Sequence, residues 1–251
     1  MDPLLAISIL PVVILLIYIY RKDKNEREPF GLLLRAFFRG VLVAGIIMLF
    51  ALVMALLGID DLFDFEDSAI MQSFFQAAIP EEGLKFLFLY GLIWKNAEFN
   101  EHFDGIVYAV FLSMGFACLE NILYVYTNGF STGVARAFLA VPGHFLFAVI
   151  MGYYLSKARF SLFHRGRLLA FAIIFPILVH GLYDTFCFMI EMYGESTGLS
   201  IVLTLAMLVF DVVLWSIGLK KINSYCHFCG RKISKGQTYC SYCQHTINNR
   251  T

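Results

Sequence analysis

Two sets of side chains in this 251-residue sequence have types and spacings that could do chemistry. The first is ionisable yet stands among apolar residues: Glu81, Glu82, Lys85, Glu120, His144, His180, Asp184 and Asp211. Carboxylates beside imidazoles can act as general acids and bases, or as ligands for a divalent metal such as zinc. One chemistry is a glutamate of raised pKa that activates water. The other is a metal held by His144, His180 and Glu82 that lowers the pKa of a bound water. The second set reads Cys226-x2-Cys229-x10-Cys240-x2-Cys243. Two CxxC pairs supply four thiolates to a tetrahedral zinc, a closed structural site with no open position for catalysis. Two disulfides are the alternative, disfavoured if the tail lies in a reducing compartment. His227 and His245 beside the cysteines read as surface residues, and Cys118 and Cys187 as ordinary buried thiols.

Spacing within the first set suggests facing groups. Glu81 and Lys85 are i, i+4 and share a helix face, as do His180 and Asp184. Glu82 lies about 100° round the helix from Glu81, so the two carboxylates are expected to use Lys85 unequally. Pro80 precedes the glutamates and Pro142-Gly143 precedes His144. Helix breaks there would line a cavity. Four acids, Glu81, Glu82, Glu120 and Asp184, face one lysine, so some are protonated or a cation is bound. Each group also has a plain structural reading. A buried histidine commonly bonds a backbone carbonyl, Glu81–Lys85 can be a simple ion pair, and Asp211 reads best as a structural hydrogen bond. The clustering carries the functional reading.

The elements that must position these groups are long and apolar. Seven runs approach the ~20 residues needed to cross a bilayer: Pro3–Tyr20, Ala36–Leu57, Ala69–Trp94, Asp104–Thr127, Ala137–Ser156, Leu168–Ile190 and Leu199–Leu219. The first is read as a retained helix rather than a cleaved leader, because its basic residues follow it. Hydrophobic residues are 59% of the chain and charged residues 15%, too few charges to cover a water-facing surface. With 19 basic against 19 acidic residues, charge-driven nucleic-acid binding is excluded. The fold class is thus an all-α polytopic membrane bundle over residues 1–221, followed by a zinc ribbon over 222–251.

All lysines and arginines except Lys85 and Arg136 fall on one side of these spans. The positive-inside rule places the N-terminus outside and the tail in the cytosol, across the plasma membrane. At about 1.5 Å per residue from the outer ends, Glu82 lies ~18–20 Å deep, His180 ~15 Å, Glu120 and His144 ~10 Å and Asp184 ~9 Å. A charge near mid-bilayer costs ~2.5–3.5 kcal/mol. Four helices offering such groups at overlapping depth imply one cluster, with its mouth on the outer side.

At these residues the sequence resembles the PrsW family of intramembrane proteases, itself distantly similar to CAAX prenyl endopeptidases. Glu81-Glu82-Gly83-Leu84-Lys85 resembles the family's EExxK motif. Phe103-Asp104-Gly105-Ile106-Val107-Tyr108, continuing to Leu119-Glu120-Asn121, is similar to its second motif. Pro142-Gly143-His144 and His180-Gly181-Leu182-Tyr183-Asp184 resemble its histidine motifs. The resemblance spans roughly residues 70–190 and leaves the ribbon outside. It implies peptide-bond hydrolysis in or near the membrane, with anti-sigma-factor-like membrane-anchored substrates. Glu81, Glu82, His144 and His180 would form the catalytic set, with Glu120 and Asp184 as partners. In the mechanism expected here Lys85 keeps one glutamate ionised, and Asp184 or Asn121 orients a histidine or the substrate. A proton-coupled transporter or channel and a non-catalytic scaffold are the rival classes; the first predicts flux without cut peptides, the second dispensable glutamates.

Overall fold

In hydrocarbon a lone apolar run satisfies its backbone only as a helix, and the computed structural model is built on that solution. It describes residues 2–23, 26–58, 68–193, 198–223, 225–234, 237 and 239–245. The helices are α1 (Pro3–Lys22), α2 (Phe30–Leu56), α3 (Ala69–Met71), a π-helix (Gln72–Ala78), α4 (Ile79–Ile93), α5 (Asp104–Asn128), α6 (Phe130–Phe138), α7 (Ala140–Phe160), α8 (Arg165–Tyr193) and α9 (Gly198–Asn223). Six stretches are long and apolar enough to cross a membrane. The seventh expected span is the unbroken rod 69–93, formed by α3, the π-helix and α4, which carries Glu81, Glu82 and Lys85.

Two boundaries differ from expectation for reasons that involve proline. The run Ala137–Ser156 is not one helix. The chain turns at Leu139 (φ −115°, ψ −71°), ending α6 and starting α7. Pro142 has no N–H for the carbonyl four residues earlier, so the preceding turn is weakened there. At Pro80 no break forms. The wider π-turns of Gln72–Ala78 run directly into α4, with Pro80 in its first turn. The loop expected over Gly58–Ser68 falls mostly outside the described residues, as does the side chain of Asp211.

α5 is the central element, and residues from Asp104 to Ala117 along it are buried without interruption. It packs between α2 and α7, and α7 packs in turn on α8. The α2–α5 crossing is close because both helices offer glycine: a Cβ on Gly115 would lie 1.9 Å from the Phe37 carbonyl oxygen, and one on Gly40 1.8 Å from that of Leu112. Lipid tails are as apolar as leucine, so such close packing, rather than expulsion from water, drives helices together in a bilayer. Apolar side chains such as Leu49, Phe50, Leu56, Val209 and Val212 point outward. The pairs Phe37–Gly115 and Gly40–Leu112 run α2 antiparallel to α5, and Ser113–His144 and Phe147–His180 join α5 to α7 and α7 to α8. With α4, the helices α5, α7 and α8 meet around one polar centre.

After α9 the tail forms two short turns around its cysteines, with an isolated antiparallel bridge between Tyr225 and Lys232. Its buried core is Cys226, Ile233 and Cys240.

Candidate active site

α4 contributes Glu81, Glu82 and Lys85, α5 Glu120, α7 His144, and α8 His180 and Asp184. The ammonium of Lys85 lies at their centre. It donates to Glu82 Oε1 at 2.8 Å and Glu81 Oε2 at 3.1 Å, and stands 3.4 Å from His144 Nδ1. The Phe116 ring closes one side, 3.8 Å from the ammonium. The expected unequal use of Lys85 is not found. Glu81 and Glu82 stand four and three residues before it, so both overhang the turn into which its long side chain reaches back.

The two histidines are arranged alike. His144 turns Nδ1 inward and Nε2 outward to Glu120 Oε2 at 2.9 Å. His180 turns Nδ1 to Glu82 Oε1 at 3.0 Å and Nε2 to Asp184 Oδ2 at 3.2 Å. Each imidazole is thus backed by an outer carboxylate, which fixes its ring orientation. The rings stand perpendicular, 5.3 Å apart, and Phe147 stacks on His180 at 4.8 Å. Burial separates the acids. Glu82 and Lys85 are sealed at 1% side-chain exposure, whereas Glu81, Glu120 and Asp184 keep 11%, 14% and 17%. The open side of the cluster is therefore lined by Glu81, Glu120 and Asp184.

Asn121 is not among the groups that orient the histidines. It donates to the Ser8 carbonyl on α1 and accepts from Arg136. Arg136 is the residue that sequence reasoning passed over as a loop charge. It lies on α6, and its guanidinium donates to Glu120 at 2.8 Å and Asn121 at 2.9 Å. Its being the lone base on its side of the membrane was the available signal.

One ligand atom each from Glu81, Glu82, His144 and His180 lies within 4.8 Å of the others. This donor set fits a divalent metal. The four carboxylates face two permanent cations, Lys85 and Arg136, so two negative charges remain that one divalent ion would balance. The nest already coordinates a cationic head, that of Lys85, through the same carboxylates.

In the tail all four cysteines are free thiols, not disulfides. Sγ of Cys226 lies 3.7 Å from that of Cys243, and Sγ of Cys229 3.6 Å from that of Cys240. A tetrahedral zinc with ~2.3 Å bonds requires sulfurs about 3.8 Å apart, so these residues fit a zinc ion. His227 and His245 are not ligands; they stack on Phe103 and Phe228.

A second polar cluster, unanticipated from sequence, lies at the ribbon end of the bundle. Asp23, Glu28, Glu101 and Asp104 are buried together. Tyr108 donates to the Glu28 carboxyl, and Asp104 accepts from the N–H groups of Asn100 and Glu101. Burial, with Asp104 alongside, pushes Glu28 up to about 10, and burial raises Asp23 and Glu101 to about 7.

Comparison with known proteins places the chain in a family. A family described as "PrsW family intramembrane metalloprotease" matches residues 28–216. "Protease PrsW" of Geobacillus kaustophilus is 39% identical over 223 residues, covering 89% of this chain and 92% of the relative. That of Bacillus subtilis is 38% identical over 222 residues, covering 88% and 94%. That of Clostridioides difficile is 35% identical over 228 residues, covering 88% and 91%. No solved structure matches the chain.

Proposed function

From the premise that this chain belongs to the PrsW family of intramembrane proteases, we propose that its catalytic centre is the Glu81–Glu82–His144–His180 cluster around Lys85. It cleaves membrane-anchored proteins, anti-sigma-factor-like as the resemblance implies, in the outer half of the plasma membrane. The N-terminus is outside and the four-cysteine tail, holding structural zinc, is cytosolic. Arg21, Lys22, Arg27, Arg35, Lys157 and Arg159 at the ribbon end support that orientation.

The observation that carries this reading is the paired histidine arrangement, with two inward Nδ1 atoms, each ring backed by a carboxylate. Glu81 is the general base. It is the more open of the two glutamates and the more loosely held, 3.1 Å from Lys85 and 3.9 Å from His180 Nε2, where Glu82 stands at 2.8 and 3.0 Å from Lys85 and His180 Nδ1. It takes a proton from water as that water attacks the scissile carbonyl, then returns it to the leaving amine. Glu82 and the inner nitrogens of His144 and His180 would hold a divalent metal. When bound, such an ion polarises the scissile carbonyl and acidifies the attacking water. Lys85 keeps the glutamates ionised and adds positive charge where the oxyanion develops. Phe116 and Phe147 exclude bulk water, which strengthens each of these interactions.

The test compares membranes from cells expressing wild type and Glu81→Gln. Mass spectrometry of new peptide termini should find cleavages near the outer ends of single-pass helices that vanish in the variant. Identical terminus lists from two folded, equally abundant proteins overturn the reading.

A further inference from the structure

Beside Tyr153 of α7, whose ring lies 5.9 Å from that of Tyr225, the four-cysteine tail meets the bundle at the loop 94–103, which joins the two helices bearing the acidic half of the active site. α4 enters this loop after presenting Glu81, Glu82 and Lys85, and α5 leaves it to present Glu120. The contact is made by the first cysteine turn. The Phe103 N–H donates to the His227 carbonyl at 3.1 Å, and the His102 N–H to that of Phe228 at 3.4 Å. His102 Nδ1 meets the same Phe228 oxygen at 3.0 Å. The Phe103 and His227 rings stack at 3.8 Å, 7° from parallel. Gly230, in left-handed backbone at φ +65°, lies so close to His102 that a Cβ would come within 2.4 Å of its ring. The space left between the surfaces is about 20 Å³, room for one water at most.

These contacts supply something the loop lacks. α5 begins at Asp104 with no side-chain cap from its N-cap residue Phe103. Uncapped N–H groups at a helix start need acceptors, and the carbonyls of residues 227 and 228 serve the two N–H groups just ahead of the first turn. Both carbonyls lie between Cys226 and Cys229. Their direction is set by the turn that those cysteines close, in which the Gly230 N–H donates to the Cys226 carbonyl at 2.9 Å. A tail whose buried core is one isoleucine and two cysteines has too little apolar surface to hold that turn alone. Metal binding supplies its folding free energy.

We infer that zinc in the four-cysteine tail clamps the loop 94–103 and so holds α4 and α5 in catalytic register. The tail is then a positioning element for the membrane site, not an independent module. The inference rests on the protease reading for its effect on cleavage alone; the loop's order can be measured without any substrate.

By elemental analysis the full chain in nanodiscs should carry one zinc per molecule more than Cys240→Ser, whatever metal the membrane site holds. Hydrogen exchange of the amides in 94–103 should rise at least tenfold in Cys240→Ser and on removal of zinc by a chelator. His227→Ala, which spares every cysteine, should keep its zinc yet show faster exchange in the same peptides and several-fold slower cleavage. A wild type that carries no more zinc than Cys240→Ser overturns the inference. So does exchange in 94–103 that is unchanged on zinc removal, whether or not the protein cuts its substrates.

Discussion

Arg136 and His144 meet on a single atom: Glu120 Oε2 accepts from the guanidinium at 2.8 Å and faces the imidazole Nε2 at 2.9 Å. The carboxylate can serve both because it is partly buried between α5, α6 and α7. It fixes the His144 tautomer with the proton on Nε2 and the lone pair on the inward Nδ1. Loss of such an outer partner typically costs 10–100-fold in activity or metal affinity. Arg136→Gln should therefore reduce kcat by roughly that factor. Arg136→Lys, which can still reach Glu120, should recover part of it. Cleavage kinetics on a reconstituted substrate decide the matter; equal activity of all three proteins would remove Arg136 from the site.

The two glutamates should fail differently. Glu81→Gln removes the proposed base and should lower turnover by about 10²–10⁴-fold with little effect on thermal stability. Glu82→Gln should be comparably inactive and also less stable, since Glu82 is the sealed partner of both Lys85 and His180. Turnover and melting temperature measured together distinguish them.

Lys85→Met should cost more stability than either glutamine substitution. It leaves Glu81 and Glu82 buried without their shared cation, and uncompensated buried charge costs about 3–5 kcal/mol. Thermal unfolding in detergent gives the comparison. A melting point above that of Glu82→Gln would count against the central role of the ammonium.

The ribbon-end acids predict the direction of pH dependence. Burial holds Asp23, Glu28 and Glu101 above their unfolded values, so the fold favours their neutral forms. That stabilisation is full below about pH 4. It fades as pH rises through about 7 for Asp23 and Glu101 and about 10 for Glu28. Asp104, Glu26 and Glu98 press in the same direction and Arg27 opposes them. The melting temperature should drop between pH 6 and 9, and Glu28→Gln should flatten the drop. A melting temperature that rises over that interval in wild type refutes this assignment.

Much of the fold and the gathering of the site could be read from the sequence, because both follow from local spacing and from the cost of charge in lipid. Five of the six long apolar stretches stand near their expected bounds; the other, Phe130–Phe160, starts earlier than expected and is divided at Leu139. His180 and Asp184, one helical turn apart, do pair. The overlapping depths of Glu82, Glu120, His144 and His180 correspond to one cluster. What escaped depends on contacts between distant segments or on proline-adjusted backbone. Arg136 reaches Glu120 only because Leu139 separates α6 from α7 and lets α6 fold back along α5. Glu28 meets Tyr108 across 80 residues of chain. That Lys85 serves both glutamates depends on where its long side chain comes to rest, which helical angle alone does not give.

The π-helical stretch Gln72–Ala78 carries a consequence for how this segment can vary in length. Wider turns accommodate extra residues within a given rise. Above Pro80, Ser73 bonds Thr185 and Phe74 lies against Gly181; below it, Glu82 bonds His180. Both halves of the rod are thus keyed to α8. Removing one residue between Gln72 and Ala78 would let the stretch relax into an ordinary helix with both halves still facing α8, because the wide turns hold the surplus residue. Inserting a further residue there exceeds what those turns already hold and would turn one half about 100° relative to the other. Either Ser73 would lose Thr185 or Glu82 would swing away from His180. The stretch thus absorbs a shortening of this rod but not a lengthening.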